Sequence, residues 1–272
     1  MTATAIAPPA PSADETIGVA NVVRSEWTKL RTVRSTYWTA FVAVLAGVGI
    51  AILSCAEFVH NFARDQVVVT GIDAVSRTSN GLYAAQIALG ALGVLTITGE
   101  YATGMIRTTL TAVPQRRAVV AVKGLVFGLA VLVIGEIMSF AAFGIGQAIL
   151  NTKHFGVSLS DPGVARVVIG GGLYLTAVGM LAFGLGALFR RTAGALASFF
   201  GVLFLPSALI DLLPQSWHAA AMKFAPANAG TQILNLDRQH GMLGPWSGLG
   251  MLALYAAIIL ALALFLLGRR DA

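Results

Sequence analysis

Long apolar runs alternate with short polar segments along this 272-residue chain. A helix needs about 20 apolar residues to cross the hydrocarbon core of a bilayer, and six runs approach or exceed that length. The pattern therefore predicts an all-α integral membrane protein with six transmembrane helices. The second run is short and is expected to extend through Gly99, and Pro206 is expected to kink the fifth. The predicted spans are Tyr37–Ala56, Leu82–Thr98, Gly124–Leu150, Val167–Phe189, Ala193–Leu213 and Gly248–Leu267.

The composition agrees with this pattern. Hydrophobic residues make up 57% of the chain and charged residues only 11%, whereas soluble domains carry about 25% charged residues. Residues 21–272 are therefore expected to form a single membrane domain, with no stretch left for a soluble catalytic module. Residues 1–20 combine prolines with acidic residues and lack the pattern of a signal peptide, so we expect a disordered tail there.

The 18 basic residues lie beside the apolar runs rather than in one patch. Anionic lipid head groups attract such residues, so the net charge of +6 points to the lipid bilayer as a partner and not to nucleic acid. Twelve basic residues lie in the termini and in the second and fourth connections, against six in the other three connections. Because basic residues favour the cytoplasmic side, both termini are predicted to be cytoplasmic.

The chain carries few groups that perform chemistry. Its one cysteine excludes an internal disulfide and a cysteine metal site. The four histidines fall in three different connections without the spacing of metal ligands. No phosphate-binding loop, zinc-protease motif or nucleophile elbow occurs. We therefore expect no enzyme, metal or cofactor in this chain, so that any ATP and Mg²⁺ would be bound by a partner subunit.

The segment before the first span repeats apolar residues at helical spacing, with basic residues on its flanks. Trp27, Lys29 and Arg31 suit a helix in the membrane interface, with the indole at head-group depth and the cations toward phosphate. Glu26 interrupts the apolar stripe, and a bend is expected at Ser35–Thr36. The alternative is a simple extension of the first span into water.

The polar segment Glu100–Arg117 separates the second and third spans. A short helix is predicted to begin at Glu100, whose carboxylate suits the positive end of a helix, and to stop before Pro114. Arg107 would project from its middle. Such a helix at the cytoplasmic surface would suit the docking of a soluble partner. The alternative is a solvated loop whose arginines only fix the topology.

Glu136 lies well inside the third predicted span. A charge at the bilayer centre costs about 3 kcal/mol on insertion scales, so this residue is expected to face other helices or a cavity, or to be protonated. Two interpretations stay open. Glu136 belongs to a translocation path, or it forms a structural hydrogen bond between helices, with Gln147 or Tyr174 as the candidate partner.

The connection before the sixth span predicts a helical stretch between Pro214 and Pro226, a turn at Ala227–Gly230 and a second short helix at Thr231–Leu236. These segments are too short to span a bilayer and too apolar to float free, so a pair of helices dipping into the outer leaflet is predicted. A surface cap is the alternative. Closely spaced glycines within the spans predict close helix packing.

Four stretches carry a family resemblance: Ser25–Arg31, Glu100–Arg117, Gly186–Gly194, and Leu213–Gly230 closing with Pro245–Gly248. In their order and spacing relative to six spans, they resemble the permease subunit of a bacterial ATP-binding-cassette (ABC) exporter of the type-2 class, in its actinobacterial form. These stretches are distributed along most of the length of residues 21–272.

The resemblance implies two permease subunits, identical or different, that form a translocation path in a bacterial plasma membrane, with two separate ATPase subunits docked underneath. It implies an N-terminal elbow helix that contains Trp27, Lys29 and Arg31, a cytoplasmic coupling helix, and an outer gate within residues 214–245. The residues implied for ATPase docking are Glu100, Gly104, Arg107 and Leu110, and those implied for the outer gate are Pro226, Asn228 and Gly230.

Two other functions stay open at this point. A secondary transporter driven by an ion gradient would need acidic relays inside the membrane, and only Glu136 is well placed for one. The chain also shows no obvious internal repeat of the kind that many such carriers have. A membrane scaffold or sensor subunit without transport is compatible with all of these features. The cargo is not predicted.

Overall fold

The computed structural model describes residues 19–32, 34–65, 71–105, 116–267 and 269. Within them are nine α-helices with defined ends and no β-strand. The predicted tail of residues 1–20 lies outside these ranges except for Val19 and Ala20, which begin the first helix. The helices are α1 Val19–Thr32, α2 Arg34–Asp65, α3 Gly71–Ala102, α4 Arg116–Leu150, α5 Val164–Phe189, α6 Thr192–Ile210, α7 Gln215–Met222, α8 Pro226–Thr231 and α9 Pro245–Leu267.

Six of these helices, α2 to α6 and α9, are long and apolar enough to cross a membrane. They coincide with the six predicted spans, so this part of the prediction is confirmed. The helix α3 begins at Gly71, well before the predicted Leu82, and hydroxyl groups in its early turns are satisfied by carbonyl groups of their own helix. Thr78 and Ser79, for example, both donate to the carbonyl of Val75, over 2.8 and 2.9 Å. The helix α6 continues on both sides of Pro206 and ends at Ile210, short of the predicted Leu213.

The helix α5 is the centre of the bundle. It packs against α3, α4, α6 and α9, and 72% of its most apolar stretch is buried, against 22% or less in α2, α6 and α9. Glycines allow the closest crossings. Where α3 meets α5, a Cβ added to Gly93 would lie 2.5 Å from the carbonyl oxygen of Gly179. The close packing predicted from the glycine pattern is therefore present.

The connection between α6 and α9 holds α7, α8 and the 3₁₀ turn Gln232–Leu234. The predicted turn at Ala227–Gly230 is wrong, because these residues are helical in α8. Pro226 occupies the first position of that helix. The N–H group of this position makes no hydrogen bond within a helix, so proline is tolerated there. The predicted second helix, Thr231–Leu236, is reduced to the 3₁₀ turn.

Arg166 ties this connection to the central helix. Its guanidinium group, at the start of α5, donates to the carbonyl oxygens of Ile233, Asn235 and Leu236 over 3.4, 3.1 and 2.8 Å. The end of a helical turn leaves such carbonyl groups without partners, so Arg166 both satisfies them and fixes the position of the turn.

Candidate functional site

Four charged side chains meet at one end of the bundle, and we call them the junction cluster: Glu26 and Lys29 on α1, Glu100 on α3 and Lys123 on α4. Lys123 Nζ lies 2.5 Å from Glu26 Oε2 and 2.8 Å from Glu100 Oε1. Lys29 Nζ lies 2.6 Å from Glu26 Oε1 and 3.2 Å from Glu100 Oε1. Each lysine therefore bridges both glutamates, and the four groups form a closed ring.

The junction cluster is mostly withdrawn from solvent. Glu26 is 2% exposed, Lys123 5% and Glu100 8%. Two carboxylates balance two ammonium groups, so the cluster carries no net charge. Removing one member of a buried ion pair leaves an uncompensated charge and costs about 3–5 kcal/mol. The ring is therefore a fixed attachment between three helices.

Lys29 is the outermost member of the cluster, with 28% of its side chain exposed. Partial burial lowers the pKa of its ammonium group, but the hydrogen bond from Lys29 to Glu26 and the attraction of both carboxylates outweigh burial. The net effect raises the pKa of Lys29 above its ordinary value of 10.5. The side chain is consequently a stable cation at physiological pH.

The sequence of α1 explains how it reaches this position. Glu26 and Lys29 are three residues apart, so they lie on one face of the helix, and α1 packs against α4 and α2. Trp27 is 48% exposed and Arg31 is also exposed, so both lie away from that face. The helix predicted before the first span is present, but the bend predicted at Ser35–Thr36 is wrong, because α2 begins at Arg34 and runs through both residues.

Glu100 does not begin a separate helix, as the sequence predicted. It lies in the last turn of α3, which continues from Gly71 to Ala102. A carboxylate there faces the negative end of the helix dipole, and the two lysines of the junction cluster compensate for it. Gly104 follows with a φ of +72°, a left-handed conformation in which glycine commonly ends a helix. Residues 106–115, which include Arg107 and Leu110, lie outside the described residues.

The turn between α5 and α6 lies beside the end of α3. The guanidinium group of Arg190 sits 5.5 Å from the centre of the Tyr101 ring. Thr192, the first residue of α6, donates to the Thr98 hydroxyl over 3.0 Å. The end of α3 is thus held from one side by the α5–α6 turn and from another by the junction cluster.

A cavity of about 410 Å³ adjoins the junction cluster. One part of its wall is formed by the charged side chains of the cluster, and the rest is largely apolar. The cavity lies among α1, α2, α3 and α4. Its lining residues are Glu26, Lys29, Thr32, Thr39, Leu92, Leu95, Thr96, Gly99, Glu100, Thr103, Met105, Lys123, Val126 and Phe127.

Glu136, on α4, lies against the central helix at Gly172. A Cβ added to Gly172 would come within 2.5 Å of Glu136 Oε1, so a larger residue there would displace the carboxyl group. Glu136 Oε2 is buried and has no hydrogen-bond partner among the described residues. Neither predicted partner reaches it: Tyr174 donates to Gln86 Oε1, and Gln147 Oε1 accepts from the Val157 N–H group.

The residues assigned to an outer gate lie in and around α8. Pro226 and Gly230 are buried, and Asn228 is half-buried with its amide group against the sulfur of Met222. Gly230 packs on α9, where an added Cβ would lie 2.6 Å from Leu252. Among the described residues, no three histidine, cysteine, aspartate or glutamate side chains are grouped as metal ligands.

Sequence reasoning identified Lys29 and Glu100 but assigned no role to Glu26 or Lys123. Both residues carried a usable signal. Glu26 breaks an apolar stripe, and Lys123 follows the apolar stretch Ala118–Val122 at the start of a span. An ionised residue at such a position is expected to have a partner of opposite charge. Glu26 and Lys123 carry opposite charges, so the sequence offered each as a candidate partner for the other.

The chain was also compared with known proteins. No protein-family model matches it, and no curated protein matches it either.

Proposed function

We propose that this chain is the transmembrane subunit of an ABC exporter in a bacterial plasma membrane. In this proposal two permease subunits form the translocation path, and separate ATPase subunits bind ATP and Mg²⁺ and dock at the connection between α3 and α4. The α1 helix is the elbow helix of the family resemblance. Six crossings put both chain ends on one side, which the distribution of basic residues assigns to the cytoplasm.

The junction cluster is the observation that supports this proposal most. A partner that pushes on the α3–α4 connection acts on the last turn of α3 and the first turns of α4. Glu100 and Lys123 join these two places to each other over 2.8 Å. Lys29 joins Glu100 to α1, and Glu26 joins Lys123 to α1. In this proposal a displacement of the connection moves α3, α4 and α1 together. A transporter driven by cytoplasmic ATPase subunits requires such a link.

The proposed roles of Arg107 and Leu110 as contacts to the ATPase rest on the family resemblance alone. Glu100 and Gly104 take different roles in the same proposal. Glu100 anchors the connection from inside, and Gly104 ends α3 so that the chain can turn toward the partner.

A second candidate function is favoured by Glu136. Its unpaired carboxylate oxygen lies inside a span and against the central helix, and intramembrane acidic residues are typical of proton and ion pathways. An ion-coupled secondary transporter would use this group as the site of protonation. It would have no need of a partner at the α3–α4 connection.

The first experiment is purification of the protein from its native host in mild detergent, followed by mass spectrometry of the proteins that accompany it. The proposal expects an ATPase with a phosphate-binding loop in stoichiometric amount. The masses of the assembly also distinguish a homodimer from a heterodimer of permeases. Repeated recovery of the intact chain without any ATPase would overturn the exporter proposal in favour of the secondary transporter.

Paired variants then test the docking site. Arg107→Glu is expected to abolish co-purification of the ATPase while the protein still inserts in the membrane. Arg117→Glu is the matched control, because it makes the same charge change at an exposed position at the start of α4. Equal ATPase recovery with both variants would remove Arg107 from the docking site.

A further inference from the structure

The cavity beside the junction cluster has the dimensions of a ligand site. Its volume of about 410 Å³ falls in the range of about 300–1,000 Å³ that is usual for small-molecule sites. Leu92, Val126 and Phe127 contribute an apolar wall, and the ion ring contributes a polar one. A cavity with these two walls fits an amphiphile that has a polar head and an apolar chain.

The hydrogen bonds of the ring leave one strong acceptor unused. Glu100 Oε1 accepts from both lysines, whereas Glu100 Oε2 is buried and has no hydrogen-bond partner among the described residues. A buried acceptor without a donor is costly, and more so when it is charged. Glu100 is only 8% exposed and lines the cavity. A rotation of its carboxyl group presents Oε2 to the cavity, where a ligand supplies the missing donor.

Charge balance restricts the ligand further. Glu26, Glu100, Lys29 and Lys123 already cancel, so a ligand with net charge would bring an uncompensated charge into a poorly solvated site. A zwitterion avoids this cost. Each lysine ammonium group has three N–H donors, of which Glu26 and Glu100 accept two. Lys29, the more exposed lysine, therefore has a donor to offer to an anionic group.

We propose that this cavity binds the ammonium–phosphate head group of an aminophospholipid. The ammonium group donates to Glu100 Oε2, a phosphate oxygen accepts from Lys29, and the start of an acyl chain lies along the apolar wall. The same head-group chemistry is found in bilayer lipids and in soluble phosphoethanolamine. This inference goes beyond the proposed function and does not depend on it.

Binding can be measured on the full-length protein after delipidation in detergent. Dioleoyl phosphatidylethanolamine, dioleoyl phosphatidylcholine and phosphoethanolamine are titrated separately, and retained ligand is counted by native mass spectrometry. Choline is the matched control, because its trimethylated ammonium group has no N–H donor for Glu100. We expect one ethanolamine lipid per chain, bound about tenfold or more tightly than the choline lipid.

The outcomes distinguish a bilayer lipid from a soluble ligand, and one of them would overturn the proposal. Stronger binding of the whole ethanolamine lipid than of phosphoethanolamine identifies the bilayer as the source. Equal binding of these two supports the same head-group site with a soluble ligand. Equal binding of the ethanolamine and choline lipids would overturn the proposal, and this test on the unaltered protein does not depend on any variant folding.

A pair of variants locates the site. Gly99 lines the cavity, and a Cβ added there meets no atom within 4 Å, so the side chain of Gly99→Leu begins in open space. Gly144→Leu is the control, since Gly144 is an equally open helical glycine away from the cavity. We expect Gly99→Leu to lose ethanolamine-lipid binding about tenfold and Gly144→Leu to keep it. Unchanged binding in Gly99→Leu would place the lipid elsewhere.

Discussion

Lys123 on α4 donates to Glu26 on α1 over 2.5 Å, although 97 positions separate the two residues in the chain. Both side chains are almost fully buried. A helix that lay on the membrane surface without packing on the bundle would not bury a carboxylate such as that of Glu26. The pair therefore holds α1 in one defined register against the bundle, and it makes α1 part of the folded unit.

Glu26→Gln should destabilise the protein by about 3–5 kcal/mol, because it removes the carboxylate that both lysines share and leaves Lys123 buried with half of its partners. The chain contains a single cysteine, Cys55, which is fully buried. Unfolding can therefore be followed by the reaction of Cys55 with a thiol-specific fluorophore during heating. A clear fall in the melting temperature is expected.

Glu57→Gln provides the control for this variant, because Glu57 is exposed on α2. It should leave the melting temperature unchanged. The double variant Glu26→Gln with Lys123→Met should lose less stability than the two single variants added together, since residues in direct contact depart from additivity. Strictly additive losses would contradict a direct Glu26–Lys123 interaction.

The raised pKa of Lys29 predicts a loss of stability in alkali. A lysine whose folded-state pKa lies above its unfolded value stabilises the fold fully below the unfolded value of about 10.5, and this contribution disappears as pH rises through the folded-state pKa. Melting temperatures of the unaltered protein and of Lys29→Met, measured from about pH 8 to about pH 12, should therefore converge at the upper end. The exposed Lys153→Met serves as control. A constant difference between Lys29→Met and the unaltered protein would argue against the ion pairs of Lys29.

Gly104→Ala tests the end of α3. The φ of Gly104 is +72°, and this conformation costs an L-residue about 1–2 kcal/mol. An added Cβ meets no atom within 4 Å there, so the cost is conformational and not steric. Gly99→Ala, inside the last turns of α3, is the matched control and should be neutral or stabilising, because alanine favours helix interiors. Equal melting temperatures for the two variants would show that α3 does not depend on glycine for its end.

The contact between Gly172 and Glu136 gives a fourth prediction. Gly172→Ala places a methyl group against the Glu136 carboxyl group, which must move aside. Because a side chain moves more easily than backbone, we expect a cost of about 1 kcal/mol, the low end of the range for overpacking. In a Glu136→Ala background the obstructing atoms are gone, so the same change should cost less. Thermal melting of the two single variants and the double variant measures this coupling. Strictly additive effects would mean that the two side chains do not meet.

The six spans were accessible to sequence reasoning because their signal is local. A run of about 20 apolar residues has one favourable outcome in a bilayer, and no knowledge of its neighbours is needed. The ends of the spans were harder to place. The start of α3 contains Thr78 and Ser79, which look like loop residues but bond to their own helix.

The junction cluster could be predicted only in part, because it depends on residues that are distant in the sequence. Lys29 and Glu100 were singled out for separate reasons, one as an interfacial cation and one as a helix start. Nothing in the sequence around either residue indicates that Lys29 Nζ and Glu100 Oε1 lie 3.2 Å apart. Glu100 was misplaced because a polar residue after an apolar run normally marks the end of a span, whereas here two lysine partners hold it inside the helix.

The central place of α5 has a consequence for the making of the protein. The helices α3 and α4 pack on α5, yet they are synthesised and inserted before it. Their glycine faces, such as the one at Gly93 that receives the backbone of α5, lack this partner until α5, which ends at Phe189, has been made. Completion of this bundle is thus a late step of biogenesis, and a nascent chain that stops before Val164 has three helices that contact one another but lack the central helix on which α3 and α4 pack.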